Sequence, residues 1–401
     1  MKSFSFIHTA DLHLGYQQYG LETRREDFDR VFEELVGRAI ELKPDFVIMA
    51  GDLFHHPRPS NTTLENAVKN FNRLREAGIV VLAVDGSHDS APNAITGTIL
   101  NPLDSAGLIY YLPRHECACW TRPDCCYVYG VPNYRTRHKT EEQLPAFMDE
   151  YKPTPNPNFY NIFVFHMALD LPAAKPPYIE AEAEPGLIPD GFNYYAAGHI
   201  HETYKDSFKT GLLVYSGCTE TVDYEEAEIK KGFHHVKVDE QGKSTVEFVE
   251  LDSPRKFVIV KEDYSGLTAS KITQRAVQLV KDNDREGVIV VPVLKGTLPP
   301  ESSRAEIDVA RIRTAAERAL FVHPVVQLRE SEVAEELVRS IFESEFKDLK
   351  TKAFEYFMQI FSERYSREEA EKIAHAAVNL VEPLTNKQEE KTKQVIEELA
   401  Q

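Results

Sequence analysis

The sequence predicts a layered α/β fold, and three observations carry that expectation. Short apolar and aromatic runs of strand length alternate with stretches of helical periodicity through the first half of the chain. The alternation is β-α-β-α-β, the rhythm of strands covered by helices. The acids and histidines that could do chemistry fall just past the ends of those strands, where open α/β sheets bind their ligands.

Phe4–His8 and Phe46–Ala50 are expected to be buried strands. Between them Phe28, Val31, Phe32, Leu35, Val36, Ala39 and Ile40 recur at helical spacing, and Lys43-Pro44 stops that helix. A second helix follows Ser60-Asn61, with Leu64, Val68, Phe71 and Leu74 on one face. Further strands are expected at Ile79–Val84, Leu108–Leu112, Tyr127–Val131, Ile162–Phe165, Tyr194–Ala197, Leu212–Tyr215, Phe233–Val238 and Val246–Leu251. Asp252-Ser253-Pro254-Arg255 reads as a linker, so a first domain is expected over residues 1–252. Residues 256–327 look like a smaller α/β unit, with strands at Lys256–Val260 and Gly287–Leu294 and a helix through Ile272, Ala276 and Leu279. Residues 329–401 look helical. They carry one apolar stripe at Phe354, Phe357, Met358 and Phe361 and another at Val333, Leu337 and Ile341. Such stripes pack within the tail, onto the body, or against a partner.

A length of 401 residues suits roughly two or three domains. With 42% apolar and 27% charged residues, the chain has the composition of a globular protein and not of a disordered one. No apolar run approaches the roughly 18 to 20 residues of a membrane span. The N-terminal stretch lacks a secretory h-region, so a cytoplasmic protein is expected. The 5 cysteines argue against a disulfide framework and fit a reducing compartment. Cys117, Cys119, Cys125 and Cys126 crowd together near His115, but C-x-C then C-C lacks the two-residue gaps of zinc sites. Small apolar side chains on neighbouring strands are the better expectation. A net charge of -18 weighs against a protein that grips DNA unaided. It weighs less against a catalytic subunit whose metal ions meet the phosphate and whose partner holds the duplex, and it fits a phosphatase for small esters equally well.

The chemistry concentrates in five segments: Asp11-Leu12-His13, Gly51-Asp52, Gly86-Ser87-His88-Asp89, His166 and Gly198-His199-Ile200-His201. In Asp11-x-His13 and His199-x-His201 the i and i+2 side chains of an extended stretch share a face. The two oxygens of Asp52 can bridge two ions. Mixed imidazole and carboxylate ligation suits Mn²⁺, Fe²⁺ or Zn²⁺ without the thiolates of structural zinc. Two such ions about 3.5 to 4 Å apart would clamp a phosphoryl group and activate a water. His8, His138, His234 and His323 stand outside this pattern and receive no role.

These motifs resemble those of the calcineurin-like metallophosphoesterases: D-x-H, G-D, G-N-H-D/E, H and G-H-x-H. The flanks His8–Tyr16, Gly51–His55 with Arg58-Pro59-Ser60, Tyr194–His201 and Tyr215–Glu220 are similar to the DNA repair nucleases called SbcD in bacteria and Mre-eleven in archaea and eukaryotes. The resemblance covers residues 4–252 well and 256–327 more loosely. It implies two mixed sheets flanked by helices, a small α/β capping domain over DNA, and a helical tail for a partner ATPase. Of the two divalent ions it implies, expected to be Mn²⁺, the first would sit on Asp11, His13, Asp52 and His201. The second would sit on Asp52, His166 and His199. His88 would assist the leaving group, Asp89 would orient His88, and His55 would help position the substrate. The family's Asn ligand is replaced by Ser87, a shorter and weaker donor, so the second site is expected to be weaker.

The activity implied is 3′-to-5′ exonuclease and single-strand endonuclease action in double-strand-break repair. Arg58, Arg135, Arg137 and Lys139 are candidate substrate contacts, although Arg135–Lys139 also fits a solvated loop. The implied partners are DNA, an SMC-like ATPase of the SbcC or Rad-fifty type, and a second copy of the chain, for which the Leu64–Leu74 helix is a candidate face; no membrane is expected. The rival expectations are a metallophosphoesterase for small molecules and a repair-complex scaffold with weakened catalysis.

Overall fold

The structure, a computed structural model, describes residues 1–90, 97–300, 302–330, 346–362 and 365–385. The chain divides into two compact units, Met1–Lys256 and Phe257–Gln401.

In chain order the first unit runs β1 (Phe4–Thr9), α1 (Glu22–Leu42), β2 (Phe46–Ala50), α2 (Asn61–Glu76), β3 (Val80–Val84), α3 (Leu100–Ser105), β4 (Tyr110–Tyr111), β5 (Cys119–Arg122), β6 (Cys126–Gly130), α4 (Arg137–Tyr151), β7 (Tyr160–His166), β8 (Tyr194–Gly198), β9 (Tyr204–Phe208), β10 (Gly211–Tyr215), β11 (Gly232–Val238) and β12 (Ser244–Glu250). Its two sheets have the orders β12-β11-β1-β2-β3-β4 and β5-β6-β7-β8-β10-β9. Each is mixed. In the first, β1, β2, β3 and β4 are parallel, and β11 pairs antiparallel with β1 and β12. In the second, β6, β7, β8 and β10 are parallel, and β5 and β9 are antiparallel edges.

The central strands are apolar at nearly every position because both their faces are buried. Phe6, Phe46, Ile48 and Leu82 point between the sheets, against Val128, Ile162, Val164 and Tyr194. Ile7, Val47, Met49 and Val81 point the other way, onto Val31, Phe32 and Leu35 of α1 and Phe71 and Leu74 of α2. The Phe6 and Phe46 rings stack at 5.2 Å. Each buried side chain of this size contributes roughly 1.5–3 kcal/mol. Beyond the second sheet, Phe163, Phe165 and Tyr195 pack with Leu144 of α4. The result is four layers, α/β/β/α.

Helix ends follow local chemistry. Ser60 Oγ accepts from Thr63 N at 3.1 Å and caps α2, a contact of about 1 kcal/mol. Lys43 ends α1 in the left-handed region at φ 52°, and Pro44 cannot continue the helix.

Several elements depart from expectation. The Leu108–Leu112 strand shrinks to β4, because Leu112-Pro113 turns into a 3-10 helix and Pro113 has no N–H for a ladder. β5 and β9 carry no apolar run to announce them. They are edge strands, and the middle of β9 is exposed polar side chains. Arg137-His138-Lys139, which fits a solvated loop, instead opens α4 behind the cap Thr136.

The second unit runs β13 (Phe257–Asp263), α5 (Ala269–Asp282), β14 (Ile289–Thr297), α6 (Val309–Arg313), β15 (Phe321–Val322), β16 (Val325–Arg329), α7 (Phe346–Ser362) and α8 (Arg367–Thr385). Among the described residues its four strands pair in parallel. They bury Val290 and Leu294 against Ile272, Ala276 and Val280 of α5. The Phe354 ring of α7 lies 4.3 Å from that of His375 on α8, and Phe357 stacks on Phe361 at 6.0 Å. Val333, Leu337 and Ile341 lie outside the described residues. Among the described residues no helix is long and apolar enough to cross a membrane.

Candidate metal centre

The parallel strands β1, β2 and β3 of one sheet and β7 and β8 of the other end at the same edge of the sandwich, so loops far apart in sequence meet there. The loop after β1 is zipped to the loop after β2: Asp11 N donates to Gly51 O at 3.1 Å, His13 N to Asp52 O at 3.0 Å and His55 N to Leu14 O at 3.0 Å. Across the sheets, His199 N donates to Asp11 Oδ2 at 3.1 Å. Asp11, His13, Asp52 and His199 all adopt positive φ, at 55°, 47°, 49° and 87°. Aspartate and histidine tolerate that region better than most residues, and such strain concentrates at functional sites.

The motif glycines make room for this packing. A Cβ at Gly86 would meet Asp52 Oδ1 at 2.2 Å, one at Gly51 would meet His166 Nδ1 at 2.3 Å, and one at Gly198 would meet Ala50 O at 2.0 Å.

The side chains gather into two triads, Asp11–His13–His201 and Asp52–His166–His199, each with its donor atoms within 4.8 Å of one another. Asp52 stands between them. Its Oδ2 lies 3.2 Å from His166 Nε2 and 3.9 Å from His13 Nε2. His13 Nε2 and His201 Nε2 approach to 3.3 Å. His201 Nε2 is 3.8 Å from Asp11 Oδ1.

The far nitrogens of the rings are held. His166 Nδ1 meets the Ala50 carbonyl at 2.8 Å, and His201 Nδ1 meets Glu226 Oε1 at 2.6 Å. Each contact fixes the tautomer that offers Nε2 to the cavity. Glu226 is itself fastened, accepting from Val222 N at 3.2 Å and Asp223 N at 3.3 Å. Glu182 lies 3.7 Å from His199 Nε2. Asn133 donates to the His166 carbonyl. None of Glu226, Glu182 and Asn133 is part of a motif, and sequence reasoning missed them. The only sequence signal for Glu226 is its capping spacing, three residues after Asp223.

Electrostatically the cavity calls for positive charge. Burial opposes a charge on His166, but the carboxylates of Asp52 and Asp11 overcome it and push its imidazole up to about 10. Burial pushes Asp11 up to about 6, against the pull of His166 and His201. Burial and the neighbouring His166 push His199 down to about 3. A divalent cation would replace these protons. The residues fit that role: His166 Nε2 is buried and aimed at the carboxylates of Asp52 and Asp11, at 3.2 Å and 3.9 Å, and the donors are imidazole and carboxylate.

The remaining expected residues are placed as follows. Ser87 Oγ donates to Asp52 Oδ2 at 3.3 Å, so it stands beside the second triad. His88 N donates to Asp52 Oδ1 at 2.8 Å, and His88 Nδ1 meets the His55 carbonyl at 3.0 Å. The His55 ring lies 4.7 Å from that of His88 and stacks at 3.8 Å on Tyr16. Asp89 does not orient the His88 ring. It accepts from Leu53 N at 2.7 Å, Phe54 N at 3.3 Å and Gly86 N at 2.7 Å. Its one carboxylate pins two loops together, and the backbone of His55 orients His88 instead.

The arginines are not gathered with these side chains. Arg58 lines a neighbouring cleft of about 410 Å³ with Tyr16, Arg25 and His56. Arg135 Nε donates to Ser90 Oγ at 2.6 Å. Arg137 pairs with Glu141 at 2.9 Å and with Glu184. All five cysteines are free thiols, Cys125, Cys126 and Cys218 buried. His115 is engaged with Asp104 at 2.7 Å.

A pocket of about 220 Å³ opens at the triads, lined by Asp52, Ser87, His88, His199 and His201 together with Glu202, Glu226 and the segment Pro176, Tyr178 and Ile179.

The comparisons with known proteins agree with this geometry. The family profile of calcineurin-like phosphoesterases matches residues 4–203. The DNA double-strand break repair protein Mre11 of Archaeoglobus fulgidus is 29% identical over 356 residues, 82% of this chain and 77% of that protein. Its namesake in Methanopyrus kandleri is 29% identical over 337 residues, 80% of this chain and 70% of that one. That of Methanocaldococcus jannaschii is 32% identical over 244 residues, 58% and 62% of the two chains. With its strand-end motifs converging as they do, the chain belongs to the calcineurin-like phosphoesterases, in their Mre11-type branch.

Proposed function

We propose that this protein is a divalent-metal-dependent DNA nuclease of double-strand-break repair, acting as a 3′-to-5′ exonuclease and single-strand endonuclease. The observation that carries the reading is the meeting of Asp11, His13 and His201 with Asp52, His166 and His199 in two triads joined at Asp52. Asp11, His13, Asp52 and His201 would hold one ion. Asp52, His166 and His199 would hold the other, with Ser87 at its edge. We take Mn²⁺ as the ion, a metal that mixed oxygen and nitrogen donors accept. The two ions would supply Lewis-acid polarisation of a phosphodiester and a water acidic enough to attack near neutral pH.

The chain's own groups do the rest. The carbonyl of His55 fixes one nitrogen of His88, so the other faces the pocket to protonate or hydrogen-bond the departing sugar oxygen. The ring of His55, clamped between Tyr16 and His88, guides the strand. Arg58, Arg135 and Arg137 do not line the pocket and would contribute only longer-range attraction to phosphates.

By analogy with the Mre11 relatives, residues 256–327 cap the DNA. Residues 329–401 bind a Rad50-type ATPase, and the nuclease domain forms a homodimer. The free thiols fit a reducing cytoplasm.

The test compares single-stranded and duplex oligonucleotides with p-nitrophenyl phosphate, in Mn²⁺, Mg²⁺ or no metal. Mn²⁺-dependent shortening of strands from the 3′ end is expected. Turnover of the small ester with no cleavage of DNA would replace this reading by a small-molecule phosphatase.

A further inference from the structure

We propose that Tyr178 is the stacking platform for the nucleobase beside the scissile phosphate, an inference that rests on the nuclease reading above. Among the described residues, large apolar side chains are exposed at Met1, Leu42, Val80, Tyr178 and Tyr365, and Tyr178 is the most open at 68%. Tyr178 alone of these lines the pocket over the triads.

The pocket's size decides what reaches the ring. At about 220 Å³ it is smaller than the roughly 300–1,000 Å³ cavities that enclose whole ligands of nucleotide size. A phosphate and its sugar fill it, and the attached base must lie on the rim.

Charge decides which part of the nucleotide lies at this wall. Glu202 and Glu226 line the pocket beside Tyr178. Partial burial and then the carboxylates of Glu226, Glu225 and Glu202 push the Tyr178 phenol up from its usual range. A second phosphate is repelled there, whereas the uncharged face of a base is accepted. Aromatic faces hold bases of any sequence.

The platform is also pre-set. Ile179 N donates to Pro176 O at 3.1 Å, closing a turn around Tyr178. Lys175 Nζ donates to Ile179 O at 2.6 Å and braces that turn from within the segment. Ala174, just before it, is buried. With the backbone of this turn fixed, a base that stacks on the exposed ring orders the side chain alone and not the segment that carries it.

The experiment uses full-length protein with Mn²⁺ and a single strand that is intact or abasic at one of the two nucleotides flanking the scissile phosphate. On the intact strand Tyr178→Ala is expected to raise KM about tenfold with kcat nearly held, as loss of one base stack does. Tyr178→Phe is expected to behave as wild type, because stacking needs no hydroxyl. On one of the abasic strands Tyr178→Ala and wild type should coincide. A 2-aminopurine placed at that nucleotide should lose fluorescence on binding wild type and Tyr178→Phe, but not Tyr178→Ala. Wild-type cleavage with an unchanged KM in Tyr178→Ala overturns this inference alone. So does a loss that persists on both abasic strands, since Tyr178 would then act on the fold. If wild type cuts no strand in any divalent metal, the nuclease reading falls and takes this one with it.

Discussion

The carboxylate of Glu226 accepts a 2.6 Å hydrogen bond from His201 Nδ1, and through it the loop after β10 sets the direction of a ring that belongs to the loop after β8. Because Glu226 also accepts from the backbone of Val222 and Asp223, it does not swing with the histidine. Replacing it frees the ring and removes the charge that makes Nε2 a better donor. Glu226→Ala is expected to weaken the first metal site about 10- to 100-fold, and Glu226→Gln less, since the amide oxygen still accepts. Calorimetric titration with Mn²⁺ measures this directly. Equal affinity in wild type and Glu226→Ala would show that His201 is held by other means.

At the other triad, Ser87 Oγ reaches Asp52 Oδ2 at 3.3 Å, bonding to the shared carboxylate in place of offering an oxygen of its own. An asparagine here extends a carbonyl one bond further into the cavity. Ser87→Asn is expected to tighten the second ion by roughly 10- to 100-fold, the scale on which supporting contacts tune a metal site, and to leave the first unchanged. Two resolved steps in a Mn²⁺ titration, with only the weaker one moving, are the predicted pattern. A variant that binds both ions as wild type does would remove Ser87 from the account of metal affinity.

Much of this site could be seen in the sequence, for a physical reason. A parallel strand buried on both faces is written as an unbroken apolar run, and its functional loop begins where the run stops. Phe46–Ala50 followed by Gly51-Asp52 shows both in seven residues. Support from a distance leaves no such trace. Glu226 and Asn133 act because the fold carries them to His201 and His166, and nothing near them in sequence announces that. The resemblance implies that Asp89 orients His88, whereas its carboxylate oxygens accept from the backbone N–H groups of Leu53 and Gly86. The edge strand β9 was invisible because its middle residues face water.

Gly86 is a steric prediction, free of backbone complications because its φ is not positive. A methyl group there meets Asp52 Oδ1 at 2.2 Å and Asp52 N at 2.3 Å, and the backbone atom cannot step aside as a flexible side chain would. Gly86→Ala is expected to cost about 1–3 kcal/mol of stability, the usual range for overpacking. Since Asp52 faces both triads, affinity for both ions should fall together. Thermal unfolding and Mn²⁺ titration on the same sample check the pair of effects. Loss at one site only would mean that Asp52 does not bridge.

The buried histidine His234 predicts an acid limb of stability. Burial, and then the charge of Lys205, pushes its imidazole down to about 4. Its Nε2 meets Thr203 Oγ1 at 2.9 Å. In the unfolded chain it titrates near 6.5. Between those values the unfolded state binds the extra proton, so this contribution is present above about pH 6.5 and is lost as the pH falls toward 4. The shift corresponds to something on the order of 3 kcal/mol. In metal-free protein, the drop in urea midpoint from pH 7 to pH 4.5 should be smaller in His234→Phe than in wild type. Other titrating groups are common to both and cancel in the difference. Parallel pH curves would assign the acid limb elsewhere.

His88 and Asp89 are neighbours whose replacements should fail in different ways. The His88 ring is bound to the His55 carbonyl, while its contact to Asp52 runs through the backbone N–H, which any substitution but proline keeps. His88→Gln is therefore expected to leave folding and Mn²⁺ binding intact. It should lower kcat by about 10²- to 10⁴-fold, the scale of a lost general acid. Asp89 receives donors on both oxygens, from Leu53 and Phe54 on one and from Gly86 on the other. An asparagine must turn its NH₂ toward one of these N–H groups whichever way it flips, leaving a buried donor unpaired at about 1–3 kcal/mol. Asp89→Asn should thus lower the melting temperature first and activity only as a consequence. Full stability with a selective fall in kcat for Asp89→Asn would instead return Asp89 to the role of steering His88.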